Sequence, residues 1–315
     1  MVQPLSSGGP CPICGEKDSI PFTRQPAEYR VVACTACGLG RTEPQPSDAI
    51  LAALYKGEYT STDARKFGGP IETVRRLFVQ TLAGRIARRF GSSGRVLDIG
   101  CGDGKLLVAL AARGFTGTGV ELNSRVQERL PPGSDVQVCV GTLAQAAFPD
   151  ASFRVVVLRH VLEHLRDPLA VLTEVRRIIE PGGGLVIAVP NLASWQARLT
   201  RDRWFHLDLP RHLFHFTPQA LAIALARTGF RVTRLSHFSF EQNPYGWLQS
   251  GFNLAGGRWS ALYYQIRAQG SAHAQPPRPL VIAAATALMP VCIGLATVES
   301  LARAGGAIEA WAVPS

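Results

Sequence analysis

A glycine-rich turn, placed between a short apolar run and a helical pattern, constrains the fold of this chain more than any other feature. The apolar run Val96–Ile99 is followed by Gly100, Gly102 and Gly104. Glycines let the backbone turn sharply and approach a ligand closely, and the start of the following helix carries a partial positive charge. The pattern therefore predicts a strand of a parallel sheet that ends in a ligand-binding loop.

Short apolar runs and helical patterns alternate after this turn, which is typical of a parallel sheet with crossover helices. We expect strands near residues 95–99, 116–121, 135–140, 154–159, 184–189 and 231–240. We expect helices near residues 47–57, 70–91, 105–113, 124–130, 168–179 and 218–228. Glu121 ends the second of these strands, where its carboxylate can accept hydrogen bonds from a ribose diol.

The turn and Glu121 resemble motif I and the acidic loop of the class I S-adenosylmethionine-dependent methyltransferases, and the resemblance extends over about residues 95–240. The form Asp-x-Gly-x-Gly-x-Gly differs from the Gly-x-Gly-x-x-Gly of nicotinamide and flavin enzymes. In this family the glycine loop lies against the amino-acid part of the cofactor, and the acidic residue binds the ribose hydroxyls. The resemblance implies a cofactor site formed by Asp98, Gly100, Cys101, Gly102, Gly104 and Glu121.

Further segments match the same family. They are Phe148–Phe153, Leu158–His164 and Glu180–Gly184, the last of which precedes the fifth strand. Arg154 departs from the pattern, because the family usually has Asp at this position. Since the position faces the entrance of the strand and not the cofactor, we expect little effect on function.

Three polar side chains follow the fourth strand, at the edge where a parallel sheet places its active site. His160, Glu163 and His164 could each act as a general base or orient the methyl acceptor. The alternative is that Glu163 and His164 stabilise the turn while His160 packs against the cofactor. Methyl transfer is an in-line displacement, so a base is needed only if the acceptor must lose a proton.

A second polar cluster lies within residues 204–218 and resembles an Asp-x-Pro-Arg-His-Leu-x-His-Phe-Thr stretch of a methyltransferase subgroup common in bacterial biosynthetic clusters. Its polar members are His206, Asp208, Arg211, His212 and His215. Three histidines are compatible with a metal site, but the aromatic residues between them favour a lid over the substrate. We take His160, Glu163 and His212 as the candidate catalytic residues.

Two Cys-x-x-Cys pairs near the start of the chain predict a metal site. Cys11, Cys14, Cys34 and Cys37 have the spacing C-x₂-C-x₁₉-C-x₂-C, which suits a structural Zn²⁺ ion in a reducing compartment. Residues 1–46 contain four basic and four acidic residues, and a neutral ribbon is a poor phosphate binder. We therefore expect a zinc ribbon with a structural or substrate-covering role.

Residues 279–298 form an uncharged apolar run bounded by Arg278 and Glu299. The run is long enough to span a bilayer, but residues 306–313 predict a seventh sheet strand, which excludes a single span. Pro290 near the middle favours a helical hairpin that dips into one leaflet. The alternative is a pair of helices packed on the domain or in a dimer interface. The expected interface anchors are Arg258, Trp259, Tyr263, Tyr264 and Arg267.

The formal net charge is +10 and the pI is near 9.7, which favours a polyanionic partner such as nucleic acid or an anionic membrane surface. No basic and apolar leader is visible among the first nine residues, so we expect a cytoplasmic protein. Contact with the inner face of the membrane, through residues 243–304, is the open alternative.

The predicted class is α/β, with a Rossmann-like seven-stranded methyltransferase sheet. We expect a zinc ribbon at 1–46, a helical lead-in at 47–93, the methyltransferase domain at 94–240, an apolar helical insertion at 241–304 and the last sheet strand at 305–315. The expected activity is S-adenosylmethionine-dependent methylation of a small-molecule, sugar or lipid-linked biosynthetic intermediate.

Two other functions stay open. A nucleic-acid methyltransferase fits the charge and the ribbon, but the chain lacks an Asn/Asp-Pro-Pro-Tyr/Phe motif and a Pro-Cys nucleophile loop, so we do not expect a nucleic-acid partner. A binding protein that keeps the fold without catalysis is the other alternative. The sequence is also compatible with an oligomer, whichever of these functions the protein has.

Overall fold

A computed structural model describes residues 9–25, 27–59, 69–124, 126, 130, 133–256 and 279–315. Two of the sequence-based expectations fall outside this part of the chain. They are the greater part of the helix near 124–130 and the interface anchors between 258 and 267.

The described residues form an α/β architecture with two sheets. The strands are β1 (Ser19–Pro21), β2 (Arg30–Cys34), β3 (Gly40–Glu43), β4 (Gly94–Ile99), β5 (Phe115–Glu121), β6 (Val136–Val140), β7 (Phe153–Arg159), β8 (Ile179–Pro190), β9 (Phe214–His215), β10 (Phe230–Ser236) and β11 (Ala307–Pro314). The helices are α1 (Asp48–Tyr59), α2 (Gly69–Phe90), α3 (Lys105–Ala111), α4 (Leu143–Ala146), α5 (Pro168–Ile178), α6 (Trp195–Thr200), α7 (Pro218–Arg227), α8 (Asn243–Leu254) and α9 (Pro279–Leu301).

The larger sheet has seven strands in the order β10-β11-β8-β7-β4-β5-β6. The pairs from β8 to β6 are parallel, whereas β11 runs antiparallel to both of its neighbours. This confirms the predicted seven-stranded Rossmann-like sheet, including the return of the chain for a last strand. The carboxyl ends of β4, β5 and β7 lie at one edge, where the predicted ligand-binding residues follow the strands.

Both faces of this sheet are buried, because neighbouring residues of each strand point to opposite sides. Val96 packs with residues of α2 and α3 on one face, while Leu97 packs with residues of α5 and α7 on the other.

The helices α5 and α7 begin in the same way. Asp167 and Thr217 accept hydrogen bonds from backbone N–H groups of the first turn, and a proline follows each of them.

Arg154 lies near the amino end of β7, away from the ligand-binding edge. Its Nε donates a hydrogen bond to the carbonyl oxygen of Phe90 (3.1 Å), and its Nη1 pairs with Glu180 (3.4 Å). This residue therefore ties α2 to the start of β8 and contacts no residue of the glycine loop in these interactions.

The smaller sheet joins the N-terminal cysteine segment to the segment that carries the predicted histidines. Strands β1, β2 and β3 form an antiparallel meander, and β3 pairs with β9 through Gly40–His215 and Arg41–Phe214. A Cβ atom at Gly40 would lie 2.9 Å from Cβ of His215, so only glycine fits this approach. The ribbon is thus built into the methyltransferase domain as an extension of its histidine segment.

The apolar run contradicts one expectation. We expected Pro290 to divide residues 279–298 into a helical hairpin, and this is wrong: α9 is one helix of 23 residues with Pro290 inside it. Proline removes a single backbone N–H donor, and a long helix tolerates that loss by bending. The partner of α9 is α8, which packs against it through Leu248 and Cys292.

Among the described helices, α9 is long enough and apolar enough to cross a membrane. The residues after it nevertheless return to the larger sheet as β11. Its apolar side chains are mostly exposed, including Leu280 (84%), Val291 (59%) and Leu301 (81%). Its last turn is different, because Glu299 there is completely buried. The helix is therefore anchored at its carboxyl end and presents an apolar surface along the rest of its length.

Candidate active site

The glycine loop connects β4 to α3 with three left-handed residues. Gly100, Gly102 and Gly104 have φ angles of +71°, +60° and +69°, a region that side chains rarely adopt. A Cβ atom at Gly100 would lie 2.5 Å from Cγ2 of Val161, whereas a Cβ atom at Gly102 would meet no atom within 4 Å. The loop is packed against the protein at Gly100 and open at Gly102, as a cofactor-binding loop requires.

Glu121 connects this loop to the end of β5. Its two carboxylate oxygens accept hydrogen bonds from the backbone N–H of Gly102 (2.9 Å) and of Asn123 (3.2 Å). The carboxylate therefore lies beside the open part of the loop, at the position from which an acidic residue can bind ribose hydroxyls. These residues fit S-adenosylmethionine, since they combine an open glycine cradle, a helix start and a carboxylate acceptor.

Asp98 lies at the end of β4 and is buried. Burial raises the pKa of its carboxyl, Arg159 lowers it, and the negative charges of Glu121 and Asp103 raise it, which together give a pKa of about 7. Cys101 is also buried, and burial raises the pKa of its thiol well above the ordinary value. The raised pKa favours the neutral thiol of Cys101 near neutral pH.

An ionic network that the sequence did not reveal surrounds this loop. Arg159 pairs with Glu241 (3.1 Å), and Arg75 of α2 lies 3.9 Å from Glu241 and 3.6 Å from Asp103. Four separate segments of the chain meet here. No local pattern signals such a meeting, although Arg159 ends a predicted strand and Glu241 follows another.

His160 and Glu163 follow β7 as predicted, and the structure brings them together. Nδ1 of His160 lies 3.5 Å from Oε1 of Glu163. Glu163 is 1% exposed at its side chain and His160 is 25% exposed, so His160 is the accessible member of the pair. Burial acts to raise the pKa of Glu163, but the neighbouring imidazoles of His160, His164 and His212 lower it to about 2.

His160 also has an unusual backbone. Its φ of +55° lies in the left-handed region, and its N–H donates to the carbonyl oxygen of Ala188 on β8 (2.8 Å). The next residue, Val161, is the one whose side chain lies against Gly100. The residue that follows His160 therefore contacts the glycine loop.

Three further histidines, His164, His212 and His215, lie close together, and the last two of them are buried. The ring centroids of His164 and His212 are 4.6 Å apart, and those of His212 and His215 are 6.0 Å apart. Burial lowers the pKa of all three and that of His206, which reaches about 3. His212, a predicted catalytic residue, thus lies close to Glu163 but is itself buried.

The four ribbon cysteines converge as predicted. Sγ of Cys11 lies 3.6 Å from Sγ of Cys37, and Sγ of Cys14 lies 3.5 Å from Sγ of Cys34. All four sulfur atoms lie within 4.8 Å of one another. A tetrahedral Zn²⁺ ion with bonds of about 2.3 Å places its sulfur ligands about 3.8 Å apart, so the cluster has the dimensions of a closed zinc site.

The ribbon contacts the histidine segment at several points. The hydroxyl of Thr42 on β3 donates to the carbonyl oxygen of His212 (2.5 Å) and lies 3.3 Å from Nε2 of His215. The hydroxyl of Thr217 donates to the carbonyl oxygen of Cys37 (2.8 Å), next to the metal cluster. The ribbon therefore contacts the segment that carries His212 and His215.

A seven-stranded sheet with an antiparallel last strand, an open glycine loop after β4 and a carboxylate after β5 together define a Rossmann-like S-adenosylmethionine-dependent methyltransferase. A family model described as a methyltransferase domain matches residues 72–235, just over half of the chain. The chain belongs to this family of class I methyltransferases. The family supports S-adenosylmethionine as the cofactor.

Curated relatives are similar to parts of the chain. The ubiquinone biosynthesis O-methyltransferase of Paracidovorax citrulli is 37% identical over 106 residues, which are 31% of this chain and 44% of that protein. The protein of the same name from Xanthomonas axonopodis pv. citri is 28% identical over 167 residues, 49% of this chain and 70% of its own. The 2-methyl-6-phytyl-1,4-hydroquinone methyltransferase of Synechocystis sp. is 33% identical over 127 residues, which are 35% of this chain and 40% of that protein. The matched regions span between 40% and 70% of the length of these relatives.

Solved structures of similar chains include an S-adenosylmethionine-dependent methyltransferase from Methanosarcina mazei, with a TM-score of 0.43, 25% identity and coverage of 50% of this chain and 89% of that one. A further one, from Archaeoglobus fulgidus, has a TM-score of 0.48 and 18% identity, and the match covers 83% of this chain and 98% of that one.

Proposed function

We propose that this protein transfers a methyl group from S-adenosylmethionine to a hydroxyl oxygen of a small biosynthetic intermediate. The observation that carries the proposal is the contact of Val161 with Gly100. Because Val161 directly follows His160 in the chain, this contact supports a position for an acceptor at His160 that lies next to the cofactor. Proximity of this kind accounts for much of the rate of a displacement reaction.

His160 is the proposed general base. Bound S-adenosylmethionine supplies a methyl group on a sulfonium, whose sulfur keeps the electron pair of the broken S–CH₃ bond as the acceptor oxygen forms the new O–CH₃ bond. His160 accepts the hydroxyl proton, and Glu163 orients its ring through Nδ1. His212 is buried, so we assign it a positioning role behind Glu163.

The proposed acceptor is a hydroxylated aromatic ring with an apolar tail. Two of the relatives are named for ubiquinone biosynthesis and one for a phytyl-substituted hydroquinone. The exposed apolar surface of α9 agrees with an acceptor of this kind, because it offers a place for a long hydrocarbon chain or for the membrane that holds it.

A transfer assay tests this proposal. A phytyl-substituted hydroquinone and the same hydroquinone without its tail are incubated with S-adenosylmethionine, and formation of the demethylated cofactor is measured. We expect the tailed acceptor to react, and His160→Gln to lower kcat about 10²- to 10⁴-fold without changing cofactor affinity. His237→Gln is the control histidine, and it should keep full activity. Undiminished turnover by His160→Gln would rule out its role as the base.

We also propose that Cys11, Cys14, Cys34 and Cys37 bind one structural Zn²⁺ ion. The support is the size of the sulfur cluster and the burial of three of its four members. Four thiolates leave no open coordination position, so such an ion stabilises the ribbon and takes no part in the chemistry.

We further propose that α9 contacts an anionic lipid surface on the cytoplasmic side. Its exposed apolar side chains supply the buried area, and the sequence of residues 257–278 supplies three arginines and no acidic residue. Val291→Asp should then release the protein from anionic vesicles in a sedimentation assay. Val140→Asp, at the far edge of the sheet, should not. A wild-type protein that stays in solution with anionic vesicles would contradict the proposal.

A further inference from the structure

A second group of metal-ligand side chains lies apart from the cysteines. Glu163 and His164 come from the short 3₁₀ turn after β7, and His212 comes from the segment before β9. One donor atom of each lies within 4.8 Å of the other two. The fold thus brings two imidazoles and a carboxylate together from distant parts of the sequence.

The hydrogen bonds of the two histidines orient their rings for metal binding. Nδ1 of His212 donates to the carbonyl oxygen of His206 (2.8 Å), and Nδ1 of His164 donates to the carbonyl oxygen of Arg211 (3.1 Å). Because a carbonyl oxygen only accepts, Nδ1 carries the proton in both rings, and Nε2 keeps its lone pair. A histidine whose second nitrogen donates to a carbonyl is the usual arrangement in metal sites.

Glu163 supplies an independent observation. Both of its carboxylate oxygens are buried and neither accepts a hydrogen bond; its nearest ion-pair partner is Nδ1 of His160, at 3.5 Å. A buried carboxylate without hydrogen bonds is costly unless a cation compensates its charge. The unsatisfied oxygens belong to the side chain that has a carboxylate oxygen within 4.8 Å of a ring nitrogen of each histidine.

We infer that Glu163, His164 and His212 bind a second Zn²⁺ ion, separate from the ion of the cysteine ribbon. Two imidazoles and a carboxylate are a common zinc ligand set, and three protein ligands leave one coordination position open. Ligand bonds of about 2.0–2.1 Å would place the donors about 3.4 Å apart, so the three side chains close around the ion by up to roughly an ångström. The second carboxylate oxygen remains available to His160.

Such an ion joins the turn that carries His160 to the segment that the ribbon holds through Thr42. The inference does not depend on methyl transfer, because it concerns metal content alone. It also changes the interpretation of the histidine segment, in which the sequence favoured a lid over a metal site.

Metal content of the full chain tests this inference. Protein purified without added metal should contain about two equivalents of zinc, and Co²⁺ substitution should give two spectra, one of a sulfur tetrad and one of a nitrogen and oxygen site. Glu163→Gln and His212→Gln should each lose one equivalent while the sulfur-site spectrum stays. His237→Gln, which changes a buried histidine outside the group, should keep both ions.

The wild-type titration decides the matter even if a variant fails to fold. A wild-type protein that holds one zinc ion in its sulfur site, and takes up no second Co²⁺ ion on titration, would overturn the inference. So would a second ion whose affinity is the same in His212→Gln as in the wild type. Neither outcome bears on whether the protein binds S-adenosylmethionine.

Discussion

The hydroxyl of Thr42 donates a hydrogen bond of 2.5 Å to the backbone carbonyl oxygen of His212. The donor belongs to the ribbon and the acceptor to the histidine segment, and both are buried. With the pairing of Gly40 and His215, this bond makes the ribbon a structural support of the candidate site. A substitution in the ribbon should therefore affect a site that it does not itself line.

Thr42→Val tests this support, because valine keeps the shape of threonine and removes the donor. Leaving the buried carbonyl of His212 without its partner should lower the free energy of unfolding by about 1–3 kcal/mol and reduce kcat. Denaturant unfolding and the transfer assay measure the two effects. Thr35→Val is the control, since Thr35 lies in the ribbon but is exposed, and it should cost less than about 0.5 kcal/mol. If Thr42→Val and Thr35→Val changed the free energy of unfolding and kcat equally, the proposed support of the site by the ribbon would be contradicted.

Cys34→Ser should remove the ribbon's zinc ion and destabilise the ribbon. Serine cannot supply the thiolate that a closed four-sulfur site requires, so the sulfur-site spectrum of the Co²⁺ form should disappear. Cys292→Ser is the matched control, because this buried cysteine packs between α8 and α9, away from the cluster. If Cys34→Ser kept the same sulfur-site spectrum, the assignment of the four ligands would be wrong.

Glu299 predicts a pH dependence of stability. Its Oε1 accepts hydrogen bonds from Nε2 of Gln196 (2.8 Å) and from the N–H of Gly306 (3.1 Å), yet burial raises its pKa from 4.5 to about 7. The folded state therefore binds more protons than the unfolded state between these values, and the free energy of unfolding falls as the pH rises through this window.

Glu299→Gln keeps the accepting oxygen and removes the titration. The decrease in unfolding free energy between pH 5 and pH 8 should then be smaller by up to about 3 kcal/mol than in the wild type. Urea unfolding at the two pH values measures this difference. Glu174→Gln, a surface residue paired with Arg177, should leave the decrease unchanged. A decrease as large in Glu299→Gln as in the wild type would exclude a raised pKa at this carboxyl.

The sheet and the glycine loop could be predicted because their signals are local. Val96 and Leu97 are both apolar because both faces of the strand are buried, and the glycines follow where the strand ends. The cysteine spacing is local in the same sense. His160 and Glu163 were predicted from their place after β7, since parallel strands bring their carboxyl ends to one edge.

Other features depend on contacts that no local pattern encodes. The pairing of β3 with β9 joins Arg41 to Phe214, and the sequence around either residue gives no indication of this pairing. The sequence offered His164 either a role in catalysis or a role in stabilising its turn, and its proximity to His212 emerges only from the fold. The hairpin predicted from Pro290 was wrong, because a proline in a helix removes one hydrogen bond and does not always end the helix.

Calorimetric titration of S-adenosylmethionine is the most direct test of the account. The wild type should bind, Glu121→Ala should bind about ten- to a hundred-fold more weakly through lost hydrogen bonds, and Gly102→Ala should bind weakly because its Cβ enters the open cradle. Gly84→Ala on α2, where a Cβ also meets nothing within 4 Å, should bind as the wild type does. Wild-type affinity in both Glu121→Ala and Gly102→Ala would show that the cofactor does not bind at this loop.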